Sequence, residues 1–144
     1  MKSGRRKALR NRGPASPAVR APLVKRGQLP PMSDERWTLV QKLGHTILRF
    51  PGGSPTELMP HSVAQRLHID AREEAIAFMY AMFEAGAGDL AFFIYHDCYD
   101  APVDRVPLGC LPGDKYECPY CEKRTARSEL TFEHVLLIQP FRAV

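Results

Sequence analysis

Long apolar runs are missing from this chain. Nothing in it approaches the roughly 20 consecutive apolar residues that a bilayer-spanning helix needs, so no membrane partner is expected. The basic N-terminus is not followed by an uninterrupted apolar stretch, which argues against a secretory leader and for a cytoplasmic protein. Acidic and aromatic residues are both missing from residues 1–31. Internal repeats are absent as well. Pro51-Gly52-Gly53-Ser54 lacks the lysine and following helix pattern of a phosphate-binding loop. His45, His61, His68 and His134 have no Cys, Asp or Glu partner at a motif spacing, so no catalytic constellation is expected and no catalytic residue is assigned.

What remains is a chain of 144 residues, 44% hydrophobic, enough for one ordinary domain or two very small modules. Its net charge of +4 is unevenly spread. Residues 1–31 hold nine Lys/Arg and five Pro, and the other 113 residues hold eleven basic and sixteen acidic side chains. The basic pI of 9.0 therefore belongs to the first segment, and the body is mildly acidic. Residues 1–32 are read as a disordered arm, since such a composition buries too little apolar surface to offset ordering. Such an arm can touch the phosphates of a nucleic acid. The favoured reading is plainer: a solvated leader, or an upstream extension of a chain whose natural start is Met32.

From Ser33 the pattern is that of a folded domain. Ser33 is placed to cap a helix with Asp34 and Glu35 in its first turn and Trp37, Val40, Leu43, Ile47 and Leu48 at helical spacing. Pro51-Gly52-Gly53 ends that run. A second helix is expected over about Pro60 to His68, with Val63 and Leu67 inward. Asp70 and Glu73 suggest a capping box for a third helix. It should run to Ala85, with Ile76, Met79, Tyr80 and Phe83 on its buried face and Gly86 after its end. Phe78 and Met82 fall off that face, so the helix is either enclosed or docked on another protein. Strands are expected at Leu90–Tyr95 and Glu129–Ile138.

Helix, short helix, turn, longer helix and strand over residues 33–96 resemble a winged helix-turn-helix, most closely at Ser62-Val63-Ala64-Gln65-Arg66-Leu67-His68-Ile69-Asp70. In that family the second helix of the motif enters the DNA major groove. Here it carries Arg72 against Asp70, Glu73, Glu74 and Glu84, which opposes phosphate binding.

All four cysteines fall within 24 residues, beginning with His96-Asp97-Cys98, then Cys110, then Cys118-Pro119-Tyr120-Cys121. Reduced thiolates two residues apart suit a tetrahedral metal, because a tight turn aims both sulfurs the same way. The sequence thus predicts a structural zinc held by Cys118, Cys121 and Cys98. Cys110 is favoured as the fourth ligand, with His96 as the alternative. The prolines and glycines between Tyr99 and Lys115 leave a segment that a metal staple would hold. Over residues 96–140 the layout resembles a zinc ribbon with an atypical His-x-Cys first knuckle.

Cys-Pro-Tyr-Cys is also a glutaredoxin-type motif, which makes thiol–disulfide exchange a second alternative. Only 23 residues follow Cys121, too few for the βαβ-type chain such enzymes need.

The fold class expected is α+β: an arm (1–32), a winged-helix-like domain (33–96) and a zinc-ribbon-like module (96–140). This layout resembles general transcription factors of the TFE type, which implies an adaptor role in transcription regulation. The expected function is a non-enzymatic zinc-binding adaptor or regulator whose partner is another protein. The alternative is a nucleic-acid-binding regulator using the arm with Arg66, Arg72, Lys123, Arg124 and Arg127.

Overall fold

The computed structural model describes residues 21–47 and 56–144. The fold is α+β. Its elements in chain order are β1 (Leu23–Val24), α1 (Asp34–Ile47), β2 (Thr56–Leu58), α2 (Pro60–Leu67) and α3 (Arg72–Glu84). They continue with β3 (Gly88–Tyr95), β4 (Asp104–Pro107), β5 (Lys115–Glu117), β6 (Arg124–Ala126), β7 (Thr131–Ile138) and β8 (Arg142–Ala143).

Helix α1 begins as its sequence suggests. The Ser33 hydroxyl accepts the Arg36 backbone N–H at 3.1 Å, satisfying one of the free donors of the first turn. Val40 and Leu43 are buried. The expected helix stop at Pro51-Gly52-Gly53 and the contribution of Leu48 lie outside the described residues. Helix α2 starts on Pro60, where a missing N–H costs nothing, and buries Val63 and Leu67. His68 closes it in the left-handed conformation, with φ 56°.

The guanidinium of Arg36 then fastens the helix-to-helix turn. It donates to the carbonyls of Leu67 (3.1 Å) and His68 (2.8 Å), the free acceptors at the end of α2, and pairs with Glu74 of α3 (2.6 Å).

Two details of α3 differ from expectation. Its N-cap is Ala71, with no side-chain cap, so the Asp70–Glu73 capping box does not form. Its buried stripe is Ala75, Phe78, Met79 and Met82, while Ile76 and Tyr80 are half-buried and Phe83 is exposed. The spacing i, i+3, i+4, i+7 starts from the small Ala75, which lets the helix settle closely on the core and brings Phe78 and Met82 inside. The end of α3 is as expected. Gly86 takes φ +82°, and the N–H groups of Gly86 and Ala87 return to the carbonyls of Phe83 and Met82, a Schellman closure.

The main sheet has the order β2-β7-β3-β4 and is antiparallel throughout. Strands β3 and β7 pair along their full length, from Gly88↔Ile138 to Tyr95↔Thr131. Leu90, Leu136 and Ile138 meet the three helices in one core, closed by Val24, Leu29 and Phe141. Arg105 of β4 pairs with Glu57 of β2. These are the two edge strands, so the ion pair reaches across the face of the sheet. Residues 96–130 form an excursion between two paired strands, and the sheet draws strands from both of the expected units, 33–96 and 96–140.

Residues 21–31 were assigned to the arm and are instead part of the fold. β1 pairs in parallel with β8, Leu23↔Arg142 and Val24↔Ala143, and the Val24 and Leu29 side chains are buried. The rest of the expected arm, residues 1–20, lies outside the described residues. No described helix is long and apolar enough to cross a membrane.

Candidate metal centre

Four side chains from two separate turns converge at the far end of β3. His96 follows the last residue of that strand, and Cys98 sits in the turn beyond it, closed by a bond from the Tyr99 N–H to the His96 carbonyl at 3.2 Å. The second turn is the tip of the β5–β6 hairpin, which holds Cys118 and Cys121. The Glu122 N–H returns to the Cys118 carbonyl at 2.7 Å, and Glu122 takes φ 65° so that the chain can reverse. The Cys118 N–H closes the hairpin on the Lys123 carbonyl at 3.1 Å. Tyr116 of β5 anchors the hairpin by donating its hydroxyl to Asp104 of β4 at 2.8 Å.

The ligand atoms of His96, Cys98, Cys118 and Cys121 all lie within 4.8 Å of one another. The sulfurs of Cys98 and Cys118 are 3.7 Å apart, as are the Cys121 sulfur and His96 Nδ1. A tetrahedron with metal–sulfur bonds of about 2.3 Å and metal–nitrogen bonds of about 2.0 Å has edges of about 3.5–3.8 Å. These two spacings match such edges, and the rest of the set lies within 4.8 Å, near enough to gather round one ion.

The surroundings of His96 suit the tautomer that a metal requires, with the proton on Nε2. Its Nε2 lies 3.5 Å from the Thr125 hydroxyl and 3.4 Å from an Asp97 carboxylate oxygen. The Thr125 hydroxyl donates onward to the Lys123 carbonyl at 3.3 Å, which leaves its lone pairs free to accept an Nε2–H. In that tautomer the Nδ1 lone pair faces the sulfurs. Such an outer partner fixes ring orientation in metal sites generally.

Thiol electrostatics are divided. Burial opposes ionisation of Cys118, but the backbone N–H groups of Cys121 and Tyr120, with His96, outweigh it and lower its pKa to about 7. Cys98 is pushed up to about 12 by loss of water from its sulfur, then by the hydrogen bonds and charges of Cys118 and Cys121. Ionising Cys98 beside an ionised Cys118 is opposed by like charge, which a bound cation would offset.

Cys110 does not join them. It is exposed and lies outside the cluster, so the expectation that it is the fourth ligand is corrected in favour of His96. Its N–H bonds the Pro107 carbonyl at 3.0 Å, a turn that continues directly from edge strand β4. Thr125 went unnoticed in the sequence, where nothing distinguishes a threonine four residues after a cysteine.

The five basic residues considered for nucleic acid do not act together. Arg72 makes two bonds to Glu133, at 2.7 and 3.1 Å, which raise its pKa further. Arg127 donates to the Pro112 carbonyl at 2.8 Å and covers the Phe132 ring. Lys123 and Arg124 line a groove beside the cluster, shared with the acidic Asp97 and Glu129. Arg66 is exposed on α2.

No protein-family model, curated protein sequence or solved structure matches the chain.

Proposed function

We propose that this protein is a non-enzymatic adaptor in which one structural zinc ion, held by His96 Nδ1, Cys98, Cys118 and Cys121, staples the excursion 96–130 onto a winged-helix-like scaffold. The observation that carries the reading is the convergence of three sulfurs and a correctly oriented imidazole nitrogen within 4.8 Å. Zinc suits this soft, mixed donor set. When bound, it supplies four coordinate bonds to protein atoms and keeps no open position for water, so the centre has the form of a fixture.

The scaffold reading draws support from element order. Helix, strand, two helices and two long paired strands run in the sequence α1-β2-α2-α3-β3-β7, with β7 between β2 and β3. In a winged helix the connection between the last two strands is the wing. Here that connection is the cysteine-bearing excursion. Protein is favoured over nucleic acid as partner because α3, which would have to enter a DNA groove, has its only arginine paired with Glu133 and exposes Glu73, Glu74 and Glu84.

Metal analysis of the purified full chain tests the reading. One zinc per chain is expected in the wild type and in Cys110→Ser, with loss in Cys118→Ser. A wild type free of zinc, or loss in Cys110→Ser, overturns it.

A further inference from the structure

The two turns that hold the cluster also carry a pair of aromatic rings that metal binding does not use. Tyr99 directly follows Cys98, and Tyr120 directly precedes Cys121. Their rings stack with centroids 4.1 Å apart and planes inclined by 26°. Both remain exposed, at 42% and 57%. The other aromatic pairs among the described residues involve half-buried rings of the main sheet and α3. A stacked pair of large rings left open to solvent presents about as much aromatic surface as a side-chain recognition site needs, in a preset arrangement.

The charge around the rings selects what they can take. Within four positions of either tyrosine stand Asp97, Asp100, Glu117 and Glu122, all exposed, against two bases, Lys123 and Arg124. The face of a tyrosine ring carries the negative end of its quadrupole and attracts cations, and nearby carboxylates add to that field. The same carboxylates repel a phosphate backbone, which disfavours single-stranded nucleic acid as the stacking partner.

We propose that the Tyr99–Tyr120 pair is the adaptor's docking surface for an arginine- or lysine-rich peptide segment of another protein. The inference rests on the zinc-staple reading, since the ion joins the two turns that carry the rings. Cationic side chains lie over the outer ring faces, and the acidic rim holds neighbouring positive charges of the same segment. Metal binding is thereby converted into recognition, because an ion held by both turns fixes the arrangement in which they present the rings.

The test is fluorescence anisotropy of a short fluorescein-labelled poly-arginine peptide with the zinc-loaded full chain at physiological salt, with zinc content measured on every preparation. Replacing both rings (Tyr99→Leu with Tyr120→Leu) should weaken binding roughly five- to tenfold. Phenylalanine at both positions should return it to within about twofold of wild type, because the ring face is kept. Asp100→Lys with Glu122→Lys leaves the rings intact and should weaken binding about threefold or more through the rim charge. Unchanged affinity in the leucine variant with zinc retained overturns this inference and spares the staple. If the leucine variant loses zinc, the lysine variant decides, and unchanged affinity there overturns the inference. Tighter binding of an oligo-dT strand than of the peptide overturns it in favour of nucleic acid. A wild type without zinc overturns the staple reading and this inference with it.

Discussion

Thr125 places its hydroxyl 3.5 Å from His96 Nε2, on the side of the ring away from the three sulfurs. The contact is buried, with Thr125 only 3% exposed, so no water can take over the hydroxyl's role freely. Thr125→Val keeps the shape and removes the acceptor. Asp97 remains as a second, solvent-exposed partner. Competition with a chelator of known affinity should show zinc held about tenfold more weakly, at the lower end of what loss of such an outer partner costs. Affinity equal to wild type would mean that the tautomer is fixed by other means.

Chelation should loosen one part of the molecule and leave the other intact. The buried core is built from residues on either side of the excursion, ending at Leu90 and resuming at Leu136. Only Leu108 of the excursion packs against it. Hydrogen exchange after metal removal should therefore quicken between about residues 97 and 129. Helices α2 and α3 should keep their protection, since local opening follows local packing. Uniform loss of protection would show that the metal supports the whole fold.

A chain beginning at Met32 should be markedly less stable than one beginning at Ala21. The first lacks Val24 and Leu29, both buried, and leaves β8 without its partner strand. Burial of two such side chains is worth about 3–6 kcal/mol, comparable with the entire stability of many small domains. Urea unfolding of the two chains measures the difference directly. Equal midpoints would show that β1 contributes nothing.

Gly44 lies against Phe141, and the contact leaves no room for a methyl group. A Cβ there would stand 2.5 Å from the Phe141 carbonyl oxygen and 3.0 Å from its ring. Gly44→Ala should thus lower stability by about 1–3 kcal/mol, despite alanine's better helix propensity, because backbone must shift to relieve the overlap. Thermal unfolding checks this. A stabilised variant would place Phe141 elsewhere.

The parts legible in the sequence were those governed by local chemistry. Ser33 as a cap, Pro60 at a helix start and Gly86 past a helix end each act within a few residues, and each is where the pattern put it. The parts misread depend on distant partners. Residues 21–31 look like a solvated arm by composition, and their order comes from pairing with Arg142 and Ala143 at the other end of the chain. Strands β5 and β6 are three residues each, too short to show an alternating pattern. The buried face of α3 is hard to read because the small Ala75 gives little apolar signal at the start of its stripe.

Within the candidate metal centre, Cys118 and Cys121 are readable from their spacing. Choosing between His96 and Cys110 was not a matter of spacing at all. His96 stands just past the end of β3, whereas Cys110 stands past the end of its antiparallel neighbour β4, at the other end of that strand pair. Only the three-dimensional path of the chain separates them.

X-ray absorption at the zinc edge of the purified full chain tests the central claim most directly, because it counts sulfur and nitrogen neighbours. The proposed zinc site predicts three sulfurs at about 2.3 Å and one nitrogen at about 2.0 Å, with the imidazole scattering pattern lost in His96→Ala. Four sulfurs, or no bound zinc, would contradict it.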